Sequence, residues 1–507
     1  MTEAIRHRWR ACLGNARGVR ADGMALGLGM LAALALPPLH LIPFLVVAFL
    51  GLLTLMDAAA TPVEAGRRGW WFGFGLNLIG LYWVTEAILF EAARYWWLVP
   101  LAVPALSVVM AVFIGIPVWI ARHAPAGLPR VLALIGAWTL FDMARQFVAT
   151  GFPWNPLGSV WAIPGLAGDV MIQPAAWVGV HGLTLLTILL VCLPRLGRSG
   201  CIAGLAGLAL WAGLGTYRLS APLPEAPNLA VVLAQGNIPQ GEKWSRDRAI
   251  GIFERYLALS AAGLREAGDR PAVVVWPETA SPFMLETDTA AREAIAAAIE
   301  GQTALVGSVR FGPDGRPRNA LFALLAGGVT AAIYDKWHLV PFGEYQPTWL
   351  PLGIQLVPGG GFGAGPGPRT LHVPGLPPLG VLICYETIFP GQVVDPNDRP
   401  AWLVNITNDA WFGNSSGPRQ HLSSSRLRSV EEGLPLVRVA NTGISVAFDA
   451  RGHELGRVGL NTTGTLTVSL PAALPPPLFA RLGLWVPLFV SVSVLSGAFA
   501  ARARGRN

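Results

Sequence analysis

Charge is scarce in this sequence. Only 13% of its 507 residues are Asp, Glu, Lys or Arg, whereas 53% are hydrophobic, and the mean hydropathy is +0.49. Such values exclude an ordinary soluble protein and point to a lipid environment. Cysteine is scarcer still. Of the four, Cys12, Cys192 and Cys201 lie in or beside apolar segments, and with Cys384 they form no CxxC pair or metal-type spacing, so no disulfide framework is expected. The eight histidines are scattered without an HExxH or similar pair, so neither a metal nor another cofactor is expected. A net charge of +7 would suit nucleic acid. Many of the arginines sit beside apolar runs rather than in one patch, however, and no nucleic-acid partner is expected.

What the chain has in abundance is long apolar runs. Residues 24–36, 38–57, 70–91, 97–121, 130–147, 172–194 and 199–217 read as helical spans, with another at 482–501. Crossing the hydrocarbon takes about 20 apolar residues. The first run is short, and "LALPPLHLIPF" is either a tight turn between two spans or a kink in one. Arginines before that short run also resemble a signal peptide, but a second apolar run follows without a soluble start. Arg6, Arg8, Arg10, Arg17 and Arg20 precede the first span, and Arg67 and Arg68 follow the second. Arg122 and Arg130 flank the loop after the fourth, Arg195 and Arg198 lie between the sixth and seventh, and Arg502, Arg504 and Arg506 follow the last. The alternate loops carry little beyond Arg94 and Arg145. This positive-inside pattern predicts a multi-pass protein with both termini cytoplasmic and residues 218–481 outside the cytoplasm.

From Pro227 to Ala473 the pattern changes. "NLAVVLAQGN", "AVVVWPET", "TALVGSVR", "ALFALLAGG", "LGVLICYE" and "AWLVNITNDAW" are strand-length apolar runs bounded by Gly, Pro, Asn or Asp. "SRDRAIGIFERYLALSAAGLREAG" and "TAAREAIAAAIEG" have helical spacing with charges on one face, and Ser260 in the first is expected at the surface. Alternating strands and helices predict an α/β domain. "GISVAFDARGHELGRV" signals a hairpin turning at Asp449 to Gly452, and "PLGIQLVPGGGFGAGPGP" a long surface loop. The predicted organisation is a bundle of seven spans over 1–217, a catalytic domain over 218–473, and a final span with a basic tail over 474–507.

Three residues with chemistry fall at the ends of predicted strands. Glu278 follows "VVVWP", Lys336 follows "AAIYD", and Cys384 follows "LGVLI". Strand C-termini in an open α/β sheet form the crevice where ligands bind. A carboxylate, an ammonium and a thiol converging there provide a base, an anion stabiliser and a nucleophile. No histidine occupies a comparable position beside Cys384, so Glu278 is the group expected to take the thiol proton. "TNDAWFG" is expected to form a loop near the site, where Trp411 and Phe412 either touch lipid or pack as a turn.

In this order, the Glu of "WPET", the Lys of "YDKWHLVPFGEY" and the Cys of "CYE" resemble the nitrilase (carbon–nitrogen hydrolase) superfamily. That resemblance implies a four-layer αββα sandwich with a Glu278–Lys336–Cys384 triad. Seven apolar spans before the domain and one after it, with "AQGNIPQGEKW", "FGEYQP", "TNDAWFG" and "GPRQH", narrow it to the apolipoprotein N-acyltransferase family and extend it over nearly the whole chain. The resemblance implies transfer of an acyl chain from a phospholipid to the N-terminal amine of a diacylglyceryl-cysteine lipoprotein, at the outer face of the bacterial inner membrane. It further implies that Glu344 supports the triad, that Lys336 and the Tyr385 backbone N–H hold the oxyanion, and that Trp244, Tyr385 and Glu386 are functional positions. The expected partners are the phospholipid donor, the diacylated apolipoprotein and the bilayer, with the enzyme a monomer. A membrane-tethered amidase that uses the same triad with water as acceptor is the competing expectation. A transporter with an extracytoplasmic sensing domain is disfavoured, because the spans offer few charges (Glu86, Asp142 and Arg145).

Overall fold

The computed structural model describes residues 12–90, 92–243, 245–348 and 361–504. The chain divides into two compact units, Met1–Ser220 with Arg481–Asn507, and Ala221–Ala480.

The first unit is helical. Its main helices are Gly18–Ala33, Pro43–Asp57, Pro62–Gly80, Val99–Arg122, Leu128–Ala144, Ala175–Cys192, Arg198–Ser220 and Trp485–Arg504. Among the described residues, the stretches Ala92–Arg122, Ala175–Leu196 and Arg198–Ser220 are long and apolar enough to cross a membrane, while Pro43–Asp57 and Trp485–Ala500 are apolar but shorter. The third helix starts well before residue 70 because Thr61 caps it. Thr61 Oγ1 accepts from the Glu64 N–H at 3.2 Å, Glu64 Oε2 accepts from the Ala60 N–H at 2.8 Å, and Pro62 opens the first turn. Reciprocal capping of this kind satisfies donors that a helix start leaves open. "LALPPLHLIPF" turns between two separate helices rather than kinking one.

Glycine sets the closest helix contact in this unit. A Cβ on Gly29 would lie 1.9 Å from Phe72 O, and one on Gly75 2.2 Å from Leu26 O. Helices Gly18–Ala33 and Pro62–Gly80 therefore meet backbone to backbone, the packing that membrane helices use where burial of apolar surface gives no drive. Asp57 joins the arginine-bearing loops: it accepts from Arg130 Nη1 at 2.5 Å and from Arg195 Nη2 at 2.8 Å, and Arg122 Nη2 reaches Ala59 O at 3.1 Å.

The second unit is built on two six-stranded sheets. In chain order the strands are β1(Ala230–Gln235), β2(Ala272–Val275), β3(Thr303–Phe311), β4(Pro317–Leu324), β5(Thr330–Asp335), β6(Thr370–Leu371), β7(Leu379–Ile383), β8(Trp402–Thr407), β9(Leu436–Ala440), β10(Ser445–Phe448), β11(Glu454–Val458) and β12(Gly464–Ser469). One sheet runs β12-β1-β2-β3-β4-β5 and the other β11-β10-β9-β8-β7-β6. The centres, β1-β2-β3 and β7-β8-β9, are parallel, and the outer pairs are antiparallel.

The apolar runs are continuous because both faces of each sheet are buried, and successive side chains point to opposite faces. Val231 and Leu233 of β1 join Val381, Ile383, Val404 and Ile406 of the other sheet in the central core. Their neighbours Val232 and Ala234 face outward onto Ile252, Phe253 and Tyr256 of helix Arg246–Ala267 and Ile295 of helix Thr289–Ala298. The outer face of the second sheet buries Leu382, Leu403, Leu436 and Val446, with Leu422 of helix Gly417–Glu432 against them. The layers are helix, sheet, sheet, helix, each buried branched side chain contributing about 1.5–3 kcal/mol. Ser260 is not at the surface: it is fully buried, and its Oγ accepts from Trp276 Nε1 at 2.8 Å. An indole N–H enclosed in an outer core needs such a partner.

Candidate active site

Glu278, Lys336 and Cys384 each follow the last residues of a strand, and local backbone geometry fixes all three. Past β2, the Trp276 N–H donates to Leu305 O and the Ser281 N–H to Gly307 O, so the turn bearing Glu278 lies flat against β3. Gly307 permits this approach, since a Cβ there would stand 2.1 Å from Pro277 O. Lys336 is clamped on both sides: its N–H donates to Asn319 O and its carbonyl accepts from the Gly365 N–H, each at 2.8 Å. The glycine-rich stretch is therefore more than a surface loop. Its residues 351–360 lie outside the described residues, but Gly365 sits where a Cβ would meet Asp335 O at 2.3 Å. Cys384 has φ 52°, a left-handed conformation that a non-glycine residue adopts only when its surroundings impose it.

The side chains converge. Lys336 Nζ lies 2.8 Å from Glu344 Oε1 and 3.3 Å from Glu278 Oε1, and Asn319 Nδ2 donates to the same two oxygens at 3.3 and 2.6 Å. Glu344 is held in turn by the Val340 N–H at 2.8 Å. Burial alone would raise Glu278, but Lys336, Lys243 and the Asn319 bond outweigh it and hold the carboxyl below its usual range. Burial alone would lower Lys336, yet Glu344 and Glu278 keep it firmly protonated. The Cys384 thiol, 7% exposed, is pushed up to about 12 by burial and by the Glu278 charge, against the opposing pull of Lys336. The proton is thus held on sulfur, and the arrangement offers the ionised Glu278 carboxylate as a general base for it.

Glu386 ties the two strand ends together. Its Oε1 accepts from the N–H groups of Trp337 at 2.7 Å and His338 at 3.3 Å, and its Oε2 from the Ile383 N–H at 2.6 Å and the Tyr334 hydroxyl at 3.2 Å. Burial pushes this carboxyl up to about 7, against those backbone bonds. Through those bonds it joins the residue before Cys384 to the residues after Lys336. Tyr385 is buried, with its ring edge-on to His338 at 5.6 Å and to Phe389 at 5.2 Å. Trp411 and Phe412 lie in a short turn, Asp409–Phe412, where both are half-buried, Phe412 edge-on to His421 at 5.8 Å. Trp244 lies outside the described residues.

Behind Cys384 stands a second buried cluster that the sequence did not reveal. His421 Nε2 lies 3.0 Å from Cys384 O, and its Nδ1 2.9 Å from Asp409 Oδ1. Arg438 Nη2 donates to Asp409 Oδ2 at 2.6 Å and Nη1 to Asn405 Oδ1 at 2.5 Å. Burial would raise Asp409, but Arg438 and His421 bring it down to about 2. A carbonyl only accepts, so the His421 ring presents Nε2–H to Cys384 and braces the strained residue from behind. Among the described residues, no group of three His, Cys, Asp or Glu side chains could hold a metal ion.

Known proteins and families similar to this chain cover most of its length. The carbon–nitrogen hydrolase family matches residues 232–474, and the N-terminal domain of apolipoprotein N-acyltransferase matches residues 28–193. The second unit is thus a domain of the carbon–nitrogen hydrolase class. An apolipoprotein N-acyltransferase from Rhodopseudomonas palustris is 36% identical to this chain, covering 91% of each, and one from Allorhizobium ampelinum is 39% identical, covering 90% of this chain and 91% of its own. An amidase from Nesterenkonia sp. aligns with 50% of this chain and 94% of its own length at 19% identity, with a TM-score of 0.36. The chain belongs to the apolipoprotein N-acyltransferase family: it is an acyltransferase and, with its long apolar helices, a membrane protein.

Proposed function

We propose that the protein transfers an acyl chain from a membrane phospholipid to the N-terminal amine of a diacylglyceryl-cysteine apolipoprotein, through a thioester on Cys384. The observation that carries this reading is the thiol on a strained strand end, beside a carboxylate and an ammonium already bonded to one another. In the first half-reaction Glu278 takes the Cys384 proton as sulfur attacks the ester carbonyl, and returns it to the departing lysophospholipid oxygen. Lys336, with the Tyr385 backbone N–H, stabilises the tetrahedral oxyanion. In the second, the acceptor amine attacks the thioester, Glu278 takes the amine proton, and the thiol leaves. A donor with two fatty chains is costly to extract, at ~0.8 kcal/mol per buried CH₂. An enzyme with several long apolar helices is suited to meeting that donor in its own bilayer.

The same reading makes the protein an eight-span protein of the bacterial inner membrane, with 1–217, 218–473 and 474–507 as bundle, periplasmic catalytic domain and final span. Both termini are then cytoplasmic. The convergence of Arg122, Arg130 and Arg195 around the end of helix Pro43–Asp57 supports that orientation, since these are the loops assigned to the inside. The test is incubation with a labelled phospholipid and a diacylated lipopeptide. N-acylated peptide plus lysophospholipid is expected; free fatty acid alone would mean that water is the acceptor and the enzyme a hydrolase.

A further inference from the structure

Beside Trp244 in "GEKW" stands Lys243, which the fold buries in the site. Lys243 is 6% exposed, and among the described residues its Nζ donates one hydrogen bond, to the backbone carbonyl of Glu278 at 2.9 Å. Its turn is anchored from outside, because Gln240 Oε1 accepts from Asn408 Nδ2 at 2.7 Å. From there the ammonium interacts with both the Glu278 carboxylate and Cys384. A lysine is rarely buried without a reason, and one backbone carbonyl is poor compensation for a desolvated ammonium.

Charge neutrality supplies the reason. Charged groups that act on Cys384 include Glu278, Lys336, Lys243 and Asp409, and Asp409 is neutralised by Arg438. Lys336 is shared between two carboxylates, Glu278 and Glu344, so those three groups alone carry one net negative charge. That surplus would oppose a thiolate or an oxyanion in a site shielded from water. Lys243 cancels it.

We propose that Lys243 is a positioning residue and the second cation of the site: it holds Glu278 by its backbone carbonyl and keeps the cluster neutral while negative charge moves to sulfur and then to the acyl oxygen. The balance is complete. The S–H bond breaks, its proton goes to Glu278, the S–C bond forms, and the charge leaving the carboxylate appears on the acyl oxygen. Counted over Glu278, Glu344, Lys336 and Lys243, the net charge is zero, or minus one without Lys243, both before and during attack. This inference rests on Cys384 being the nucleophile. Burial brings Lys243 down to about 8, against the opposing effect of Glu278 and Cys384, so the charge is present at neutral pH and is lost as pH rises through that value.

The experiment is single-turnover loading of the full-length enzyme from a labelled phospholipid, followed across neutral and alkaline pH in wild type, Lys243→Gln and Lys243→Arg. Wild-type loading is expected to fall above pH about 8. Lys243→Gln keeps a donor for the Glu278 carbonyl but no charge. It should load at least about tenfold more slowly at neutral pH and show no alkaline fall. Lys243→Arg, with a charge that does not titrate in this range, should carry loading on to higher pH. Wild-type rates and profile in Lys243→Gln would overturn the proposal. So would an unchanged alkaline fall in Lys243→Arg, which keeps the test decisive if the glutamine variant folds poorly. If wild type places no acyl chain on Cys384 at all, it is the underlying mechanism that has failed.

Discussion

Two charged clusters flank Cys384, and they are built to opposite ends. In front, Lys336 is shared between Glu278 and Glu344, and Asn319 bonds the same two oxygens. Behind, Asp409, His421 and Arg438 are all at or near zero exposure, and Arg438 is fixed to Asn405 as well as to Asp409. The front cluster acts on the thiol and, in the proposed mechanism, exchanges its proton. The rear one faces the Cys384 carbonyl and holds a strained backbone in place.

Substitutions should separate the two. Glu278→Gln leaves the thiol without a base and should lower acyl transfer by about 10⁴-fold or more, with expression and thermal stability in detergent near wild type. Normal transfer in that variant would remove Glu278 from the front cluster. Arg438→Met should do the reverse. It strands a buried Asp409, so stability should fall by about 3–5 kcal/mol, and activity should fall only as the folded fraction does, as seen by comparing denaturation midpoints with rates at low temperature. Lys336→Met should leave the fold intact and lower turnover by roughly 10²–10³. Lys336→Arg should rescue poorly, because a planar fork replaces a point charge; a large loss of melting temperature with normal turnover would make the front cluster structural too.

The smallest effect concerns acid. The folded pKa of Asp409, about 2, lies below the ordinary carboxyl value, so its stabilising contribution is complete above pH about 4 and disappears as pH falls through about 2. Its size is roughly 2 kcal/mol. Chemical denaturation across that window should show a shallower acid limb in Asp409→Asn than in wild type, and identical limbs would remove Asp409 from the account.

The contrast between the clusters also explains what the sequence made legible. Glu278, Lys336 and Cys384 stand out because each interrupts an apolar strand-length run, and Glu344 follows Lys336 closely in "YDKWHLVPFGEY". The same runs made an α/β domain legible, while its four-layer sandwich was expected from the family resemblance alone. Asp409, His421 and Arg438 come from a turn after β8, the helix Gly417–Glu432 and the strand β9, and only the folded sheet brings them behind Cys384. That helix has polar residues on every side, so no apolar period marked it, although "GPRQH" contains His421. Asn319 sits among ordinary strand residues, and Lys243 was hidden beside a tryptophan. In the helical unit the runs located the helices but not their ends, which Thr61 and Pro62 set by capping.

The mechanism is tested most directly by the fate of Cys384 in the presence of phospholipid alone. Mass spectrometry of the enzyme after incubation with a labelled phospholipid should find one acyl chain on the Cys384 peptide, released by hydroxylamine and discharged by the acceptor lipopeptide, and no adduct in Cys384→Ser, which is near-isosteric but a far weaker nucleophile. An acyl chain on another residue, or undiminished transfer in Cys384→Ser, would make Cys384 a core cysteine and contradict the mechanism.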